Sequence, residues 1–169
     1  LRLGPALNGM PLVTAGSGVA IGLPANFGIA PSSTASVLPA AIGLQAVVSG
    51  SCSLATNRQV QAFIQTGRPA LALDPLHIAA AQAAGKDIVA ETLAWAEPLL
   101  AQGPVLIYSS ADANAVRSVQ GHLGVEAAGA LVEQTLAAIA RGLVAQGVRQ
   151  LVVAGGETSG ACVNALGIT

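Results

Sequence analysis

The chain has 169 residues, of which 53% are hydrophobic and 9% are charged, and its net charge at neutral pH is −1. This length suits one domain with a sizeable core, and the lack of a basic cluster argues against a nucleic-acid partner. With so few charged residues available for the solvent-exposed surface, we expect part of that surface to be covered by another domain or by a second copy in a homo-oligomer. Because the sequence begins at Leu1 rather than Met, we expect a fragment of a longer protein.

The mean hydropathy of +0.65 invites a membrane interpretation, since no charged residue lies between Arg2 and Arg58. Prolines, glycines and polar residues interrupt this interval, so no clean membrane-spanning run is present. No basic region followed by an apolar core marks a signal peptide. We therefore expect a cytoplasmic protein with no membrane partner.

The first forty residues predict a strand at 11–14, a turn of small residues, and a helix that opens at 19–23. Gly16, Gly18 and Gly22 match a spacing found in some dinucleotide-binding proteins. Such a site needs an acidic residue about twenty positions later. The first acidic residue is Asp74, so a nicotinamide oxidoreductase is disfavoured. Residues 28–41, rich in proline, serine and alanine, predict a loop or linker.

The remaining chain alternates between predicted strands and helices. Further strands are predicted at residues 44–48, 70–73, 104–108 and 151–154. Helices are predicted at residues 54–65, 75–84, 86–102 with an interruption near Pro98, and 124–146, and a last helix near Thr158 or Ser159. This alternation predicts an α/β fold, a three-layer α/β/α sandwich whose sheet is largely parallel, with a mixed sheet also open.

Small residues follow four of the predicted strands. The turns are residues 14–18, 49–53, 109–110 and 155–160. Carboxyl ends of parallel strands meet at one edge of a sheet, where open α/β folds bind their ligands. Glycines at a helix start leave backbone N–H groups accessible to an anion. Together these turns favour a nucleotide or another phosphorylated ligand.

Several kinds of site are missing from the sequence. The only lysine, Lys86, is not part of a P-loop, and no nucleophile elbow is present. No His or Cys pair has metal-ligand spacing, so any Mg²⁺ would be carried by the nucleotide. Cys52 and Cys162 are interpreted as free core cysteines. The remaining candidates are given ordinary roles: packing or surface roles for His77 and His122, and a helix cap for Asp112.

Three residues of the last turn each keep two interpretations. Glu157 contacts ribose or an aquated magnesium ion, or is simply an acid favoured by the helix dipole. Thr158 and Ser159 bond phosphate oxygens or cap the helix, and capping is the favoured role for Ser159.

Three segments resemble the C-terminal nucleotide-binding domain of the four-carbon acid sugar kinases, the 3-oxo-tetronate and threonate kinases. They are LVTAGSGVAIGLP at 12–24, VSGSCSLATNRQV at 48–60 and VAGGETSG at 153–160. The segments stand in the family's order and extend over nearly the whole chain. One departure is Ala15, where the family more often has glycine.

The resemblance implies an ATP-dependent kinase whose N-terminal domain binds the sugar acid and whose C-terminal domain binds ATP. It places the nucleotide against Gly155, Gly156, Glu157 and Thr158, and against a serine of the turn that holds Ser51 and Ser53. The small-residue turns add Gly16, Ser17, Gly18, Ser159 and Gly160 to the predicted site.

Two parts of the family pattern are not found, the acidic N-terminal motif and the last glycine-rich stretch. We therefore interpret residues 1–169 as the nucleotide-binding domain of a two-domain kinase, inactive alone, with no catalytic residue assigned. The alternative is a non-catalytic module that binds anions or other proteins and retains the fold.

Overall fold

In a computed structural model of the chain, the structure describes residues 3–37, 40, 42–109 and 124–168. They fall into two compact units, residues 1–40 and 41–169. The predicted roles of Ser110, Asp112 and His122 lie outside the described residues.

The first unit is built from short helices. Helix α1 spans Leu3–Ala6, and three 3-10 helices span Ser17–Gly22, Pro24–Phe27 and Ser33–Ser36. The backbone of Gly4 contacts that of Gly22, and Asn26 Nδ2 donates a hydrogen bond to the Gly4 carbonyl over 2.7 Å. Close backbone contact between glycines therefore holds this unit together.

The predicted strand at residues 11–14 is wrong, because the described residues of the first unit contain no strand that could pair with it. Leu12 is 85% exposed, and a 3-10 helix follows where an α-helix was expected. A short apolar run has a strand-like sequence, but it forms a strand only where a neighbouring strand supplies a ladder.

The second unit contains a parallel sheet of four strands. They are β1 (Leu44–Ser49), β2 (Ala70–Ala72), β3 (Val105–Tyr108) and β4 (Val148–Ala154). Their order in the sheet is β2-β3-β1-β4, and every pairing is parallel. The predicted α/β fold is confirmed, and the sheet is parallel rather than mixed.

Within the described residues, five helices flank this sheet. They are α2 (Leu54–Gln65), α3 (Pro75–Ala83), α4 (Ile88–Leu100), α5 (Val125–Ala145) and α6 (Gly156–Leu166). The connection from β1 to β2 runs across the sheet in the direction opposite to those from β2 to β3 and from β3 to β4. Because such crossovers are right-handed, α2 covers one face while α3, α4 and α5 cover the other.

Two helix predictions differ from the structure. Helix α4 continues through Pro98, which lies exposed near its end, where a proline removes only one backbone hydrogen bond. Helix α6 begins at Gly156, two or three residues before the expected start at Thr158 or Ser159, because Gly155 with its φ of 121° already turns the chain.

The core lies between the sheet and the helices of the α5 side. Leu136, Ile139 and Leu143 on α5 are fully buried and pack with Val48 and Ile107 of the sheet. By length and composition alone, Glu126–Ala145 would suffice to cross a membrane. Its buried apolar face instead supplies the core of this α/β unit, which accounts for its hydrophobic composition.

Candidate functional site

The four strands end at one level. Ser49 pairs with both Tyr108 and Ala154, and Ala72 pairs with Tyr108. The segments that follow these strands therefore leave the sheet along a common carboxyl edge. Since β1 and β4 are direct neighbours, the turn after Ser49 lies beside the turn after Ala154.

Thr158 joins these two turns. Its side chain is 4% exposed, and its Oγ1 lies where a Cβ on Gly50 would stand. A Cβ on Gly155 would lie 3.0 Å from the same oxygen and 3.3 Å from the Ser51 nitrogen. The backbone of Gly50 and Gly155 therefore packs directly on the Thr158 side chain. A side chain at either glycine would push the two turns apart.

The start of α6 is open. Gly155 holds the N-cap position, and no side chain of the described residues caps the helix there. The Ser159 nitrogen donates to the Gly155 carbonyl over 2.8 Å, so the amides of Gly156, Glu157 and Thr158 precede the first helical hydrogen bond. Gly156 and Glu157 are exposed, and a Cβ on Gly156 would meet nothing within 4 Å. Accessible N–H groups at the positive end of a helix dipole are suited to an anion.

The expected cap at Ser159 is wrong, because Ser159 lies inside the helix. Capping by Thr158 is excluded in the same way. The glycine turn is tighter than the sequence suggested, so the helix begins before either hydroxyl.

The start of α2 is closed by its own side chains. Ser53 Oγ accepts from the Thr56 nitrogen over 3.1 Å and donates to Thr56 Oγ1 over 3.0 Å. Thr56 Oγ1, in turn, donates to Ser51 Oγ over 3.1 Å. Ser53 is therefore the N-cap of α2, and Ser51 is the last acceptor in this set of hydroxyl groups.

The predicted site residues separate into two groups. Ser51, Ser53 and residues 155–160 belong to the carboxyl edge of the second unit. Gly16, Ser17 and Gly18 belong to the first unit, where with Gly4 and Gly22 they line a cavity of about 430 Å³. No strand of the described residues precedes them, so the expected copy of the strand, turn and helix pattern is absent there.

Sequence reasoning missed Gly50 and Thr56. Gly50 was treated as one small residue of a turn, although it is a contact point for Thr158. Thr56 was treated as an ordinary helix residue, although it is 8% exposed and links two serines. The spacing of a serine N-cap followed three residues later by another hydroxyl is the signal that could have identified it.

Both cysteines are free, as predicted. Cys162 is buried, and burial raises the pKa of its thiol. Cys52 is exposed in the β1–α2 turn, so its assignment to the core is wrong. Within the described residues, no three His, Cys, Asp or Glu side chains are grouped as a metal site.

A family model described as the nucleotide-binding C-terminal domain matches residues 46–169. The chain belongs to this family. Membership in the nucleotide-binding C-terminal domain family confirms the resemblance noted from the three motifs, and the match contains the whole carboxyl edge of the sheet. It begins inside β1 and ends at the last residue of the sequence.

The chain is similar to two 3-oxo-tetronate kinases and to one solved structure. The 3-oxo-tetronate kinase of Burkholderia multivorans is 53% identical over 170 residues, which are 98% of this chain and 38% of that protein. The 3-oxo-tetronate kinase of Pseudomonas fluorescens is 50% identical over 169 residues, with the same shares covered. The crystal structure of Haemophilus influenzae protein HI1011 superimposes with a TM-score of 0.72 at 29% identity, over 99% of this chain and 39% of that one. The chain thus spans well under half the length of the proteins it matches.

Proposed function

We propose that this domain binds ATP at the carboxyl edge of its sheet. The observation that supports this most directly is the uncapped start of α6 at Gly155 and Gly156, beside Ser51, in a member of a nucleotide-binding family. The phosphates of ATP would accept hydrogen bonds from the amides of Gly156 and Glu157, where the helix dipole favours negative charge.

Magnesium fits this site as part of the nucleotide complex. Mg²⁺ prefers oxygen ligands and retains several waters when phosphates hold it. Glu157 is the one acidic residue in the first turn of α6, and the described residues offer no cluster of three metal ligands. Phosphate and water oxygens would therefore hold the ion, and Glu157 would contact its water shell or the ribose.

We further propose that the whole protein is a cytoplasmic kinase for a four-carbon sugar acid, of the 3-oxo-tetronate or threonate type. The names of relatives that are about half identical to this chain support this reaction. Phosphoryl transfer requires an acceptor to be positioned in line with the γ-phosphate. In this proposal the sugar acid is held by an N-terminal domain outside this chain, and that domain selects the substrate.

Substitution of Gly156 by valine tests the phosphate site. The position is open and its φ is not in the left-handed region, so the fold should accept a side chain that projects into the anion site. Micromolar affinity corresponds to about 8 kcal/mol, and each charge-assisted hydrogen bond contributes about 1.5–3 kcal/mol. Loss of two such bonds should weaken ATP binding by about a hundredfold or more, measured by calorimetric titration of the full-length protein.

Gly129→Val on α5 is the matched control, because Gly129 is also helical and its Cβ position meets only Glu133 Oε1, at 3.7 Å. This variant should bind ATP like the wild type. Thermal melts of both variants separate lost affinity from lost folding. A folded Gly156→Val protein with unchanged ATP affinity would remove this turn from the nucleotide site and favour a non-catalytic module.

A further inference from the structure

Three hydroxyl groups form a directed set of hydrogen bonds in the β1–α2 turn. Ser53 donates to Thr56 Oγ1, and Thr56 Oγ1 donates to Ser51 Oγ. Ser53 Oγ also accepts a hydrogen bond from the Thr56 nitrogen. Each hydroxyl proton except that of Ser51 is therefore used inside the turn.

Ser51 Oγ is saturated as an acceptor. It receives one hydrogen bond from Thr56 Oγ1 over 3.1 Å and another from the Ser53 nitrogen over 3.3 Å. A hydroxyl oxygen has two lone pairs and one proton. With both lone pairs engaged, Ser51 can act toward a further group only as a donor. Within the described part of the chain its proton has no acceptor.

A second hydroxyl lies close to this one. It belongs to Thr158, which is 4% exposed. It faces Gly50 and Gly155, and the Cβ position of Gly155 is 3.3 Å from the Ser51 nitrogen. A hydroxyl can donate one hydrogen bond, so Thr158 is a second possible donor beside Ser51. Phosphate oxygens supply acceptors and no donors at full ionisation.

We propose that Thr56 is a positioning residue for ATP, acting through Ser51, an inference that rests on the proposed nucleotide site. Thr56 is 8% exposed in the first turn of α2, so in this proposal it acts through Ser51 without touching the nucleotide. By donating to Ser51 Oγ it excludes the rotamers in which Ser51 would accept from the ligand or turn away from it. The Ser51 hydroxyl is then held ready to donate to a phosphate oxygen.

Thr56→Val tests this role in the full-length protein. Valine keeps the branched shape and removes the hydroxyl, which donates to Ser51 Oγ and accepts from Ser53 Oγ. We expect ATP affinity, measured by calorimetry, to fall about five- to tenfold, the value of one oriented hydrogen bond. Thr56→Ser, which retains the hydroxyl, should restore affinity close to that of the wild type.

A double-mutant cycle separates positioning from general damage to the fold. In a Ser51→Ala background the added Thr56→Val substitution should cause no further loss of affinity, because the group it orients is gone. Thr92→Val is the matched control, since Thr92 is 2% exposed and donates only to the Ile88 carbonyl on α4. It should change thermal stability without changing ATP affinity.

Two failures are distinguishable. Wild-type affinity in Thr56→Val, or an equal loss in both backgrounds, would overturn the positioning role while leaving the nucleotide site in place. Unchanged affinity in Ser51→Ala would remove Ser51 from the nucleotide site and overturn the positioning role, while leaving the start of α6 as the phosphate site. No ATP binding by the wild type would overturn the proposed site itself.

Discussion

The two cysteines differ in environment although their sequence surroundings are alike. Cys52 is exposed between Ser51 and Ser53, whereas burial raises the pKa of the Cys162 thiol and leaves less of the reactive thiolate. We expect a thiol-alkylating reagent to label Cys52 in the folded protein and Cys162 only after unfolding, as read by mass spectrometry. Because Cys52 stands in the proposed site, saturating ATP should slow its labelling several-fold.

Neither thiol is given a chemical role, so Cys52→Ala and Cys162→Ala together should leave the turnover of the proposed full-length kinase within a few-fold of the wild type. Labelling of both thiols at equal rates in the native protein would contradict the buried position of Cys162. A Cys52 labelling rate that ATP does not change would contradict the location of the nucleotide.

At the scale of elements, the packing of the β1 exit against α6 depends on Gly50. A Cβ there would overlap Thr158 Oγ1 and approach Leu136 Cδ1 to 3.1 Å, and both side chains are buried. Gly50→Ala should therefore lower the free energy of unfolding by about 1–3 kcal/mol, measured by urea denaturation.

The cause of that loss can be tested by compensation. Thr158→Ala removes the overlapping oxygen, so the double variant should be less destabilised than the sum of the two single variants. Gly160→Ala on α6 is the control, because its Cβ position is open and alanine favours a helix. Strict additivity of Gly50→Ala and Thr158→Ala would show that the two turns are not coupled through this contact.

At the scale of the whole molecule, the chain covers 38% of the length of kinases to which it is about half identical. If the sugar acid is held elsewhere, the isolated 169-residue chain should not transfer phosphate to threonate or a 3-oxo-tetronate. The measurement is acceptor-dependent ADP formation, with the full-length protein as the active control. Turnover by the isolated chain at a rate comparable to that control would show that the acceptor site lies within these residues.

Much of the second unit could be predicted from local sequence. Strands β1 to β4 were located from apolar runs, and the helices mainly from apolar periodicity. The structure adds local caps at Asp74 and Asp87, which accept from amides two and three residues ahead. These signals lie within a few residues of each other, so the sequence carries them directly. The strand predicted at 11–14 failed because a strand also needs a partner that local sequence does not reveal.

The candidate site was predictable in outline. The glycines of the last turn and the serines after β1 were assigned to a nucleotide from motif resemblance, and their contacts with a nucleotide remain a prediction. The motif alone did not show which serine keeps a hydroxyl proton for a ligand, since Ser51 and Ser53 both flank Cys52 in the same small-residue turn. The distinction depends on how the first turn of α2 directs the Thr56 hydroxyl.

By itself the sequence determined the elements of the α/β unit, its small-residue turns and its family, because propensity, periodicity and motifs are properties of neighbouring residues. Only the tertiary structure decided that the turns after β1 and β4 are adjacent. Parallel pairing places Ser49 beside Ala154, although most of the unit's sequence lies between these two residues. The tertiary structure also decided that Thr158 is buried between Gly50 and Gly155. These contacts join residues that are distant in sequence and that pack closely only in the folded chain, so local sequence patterns do not specify them.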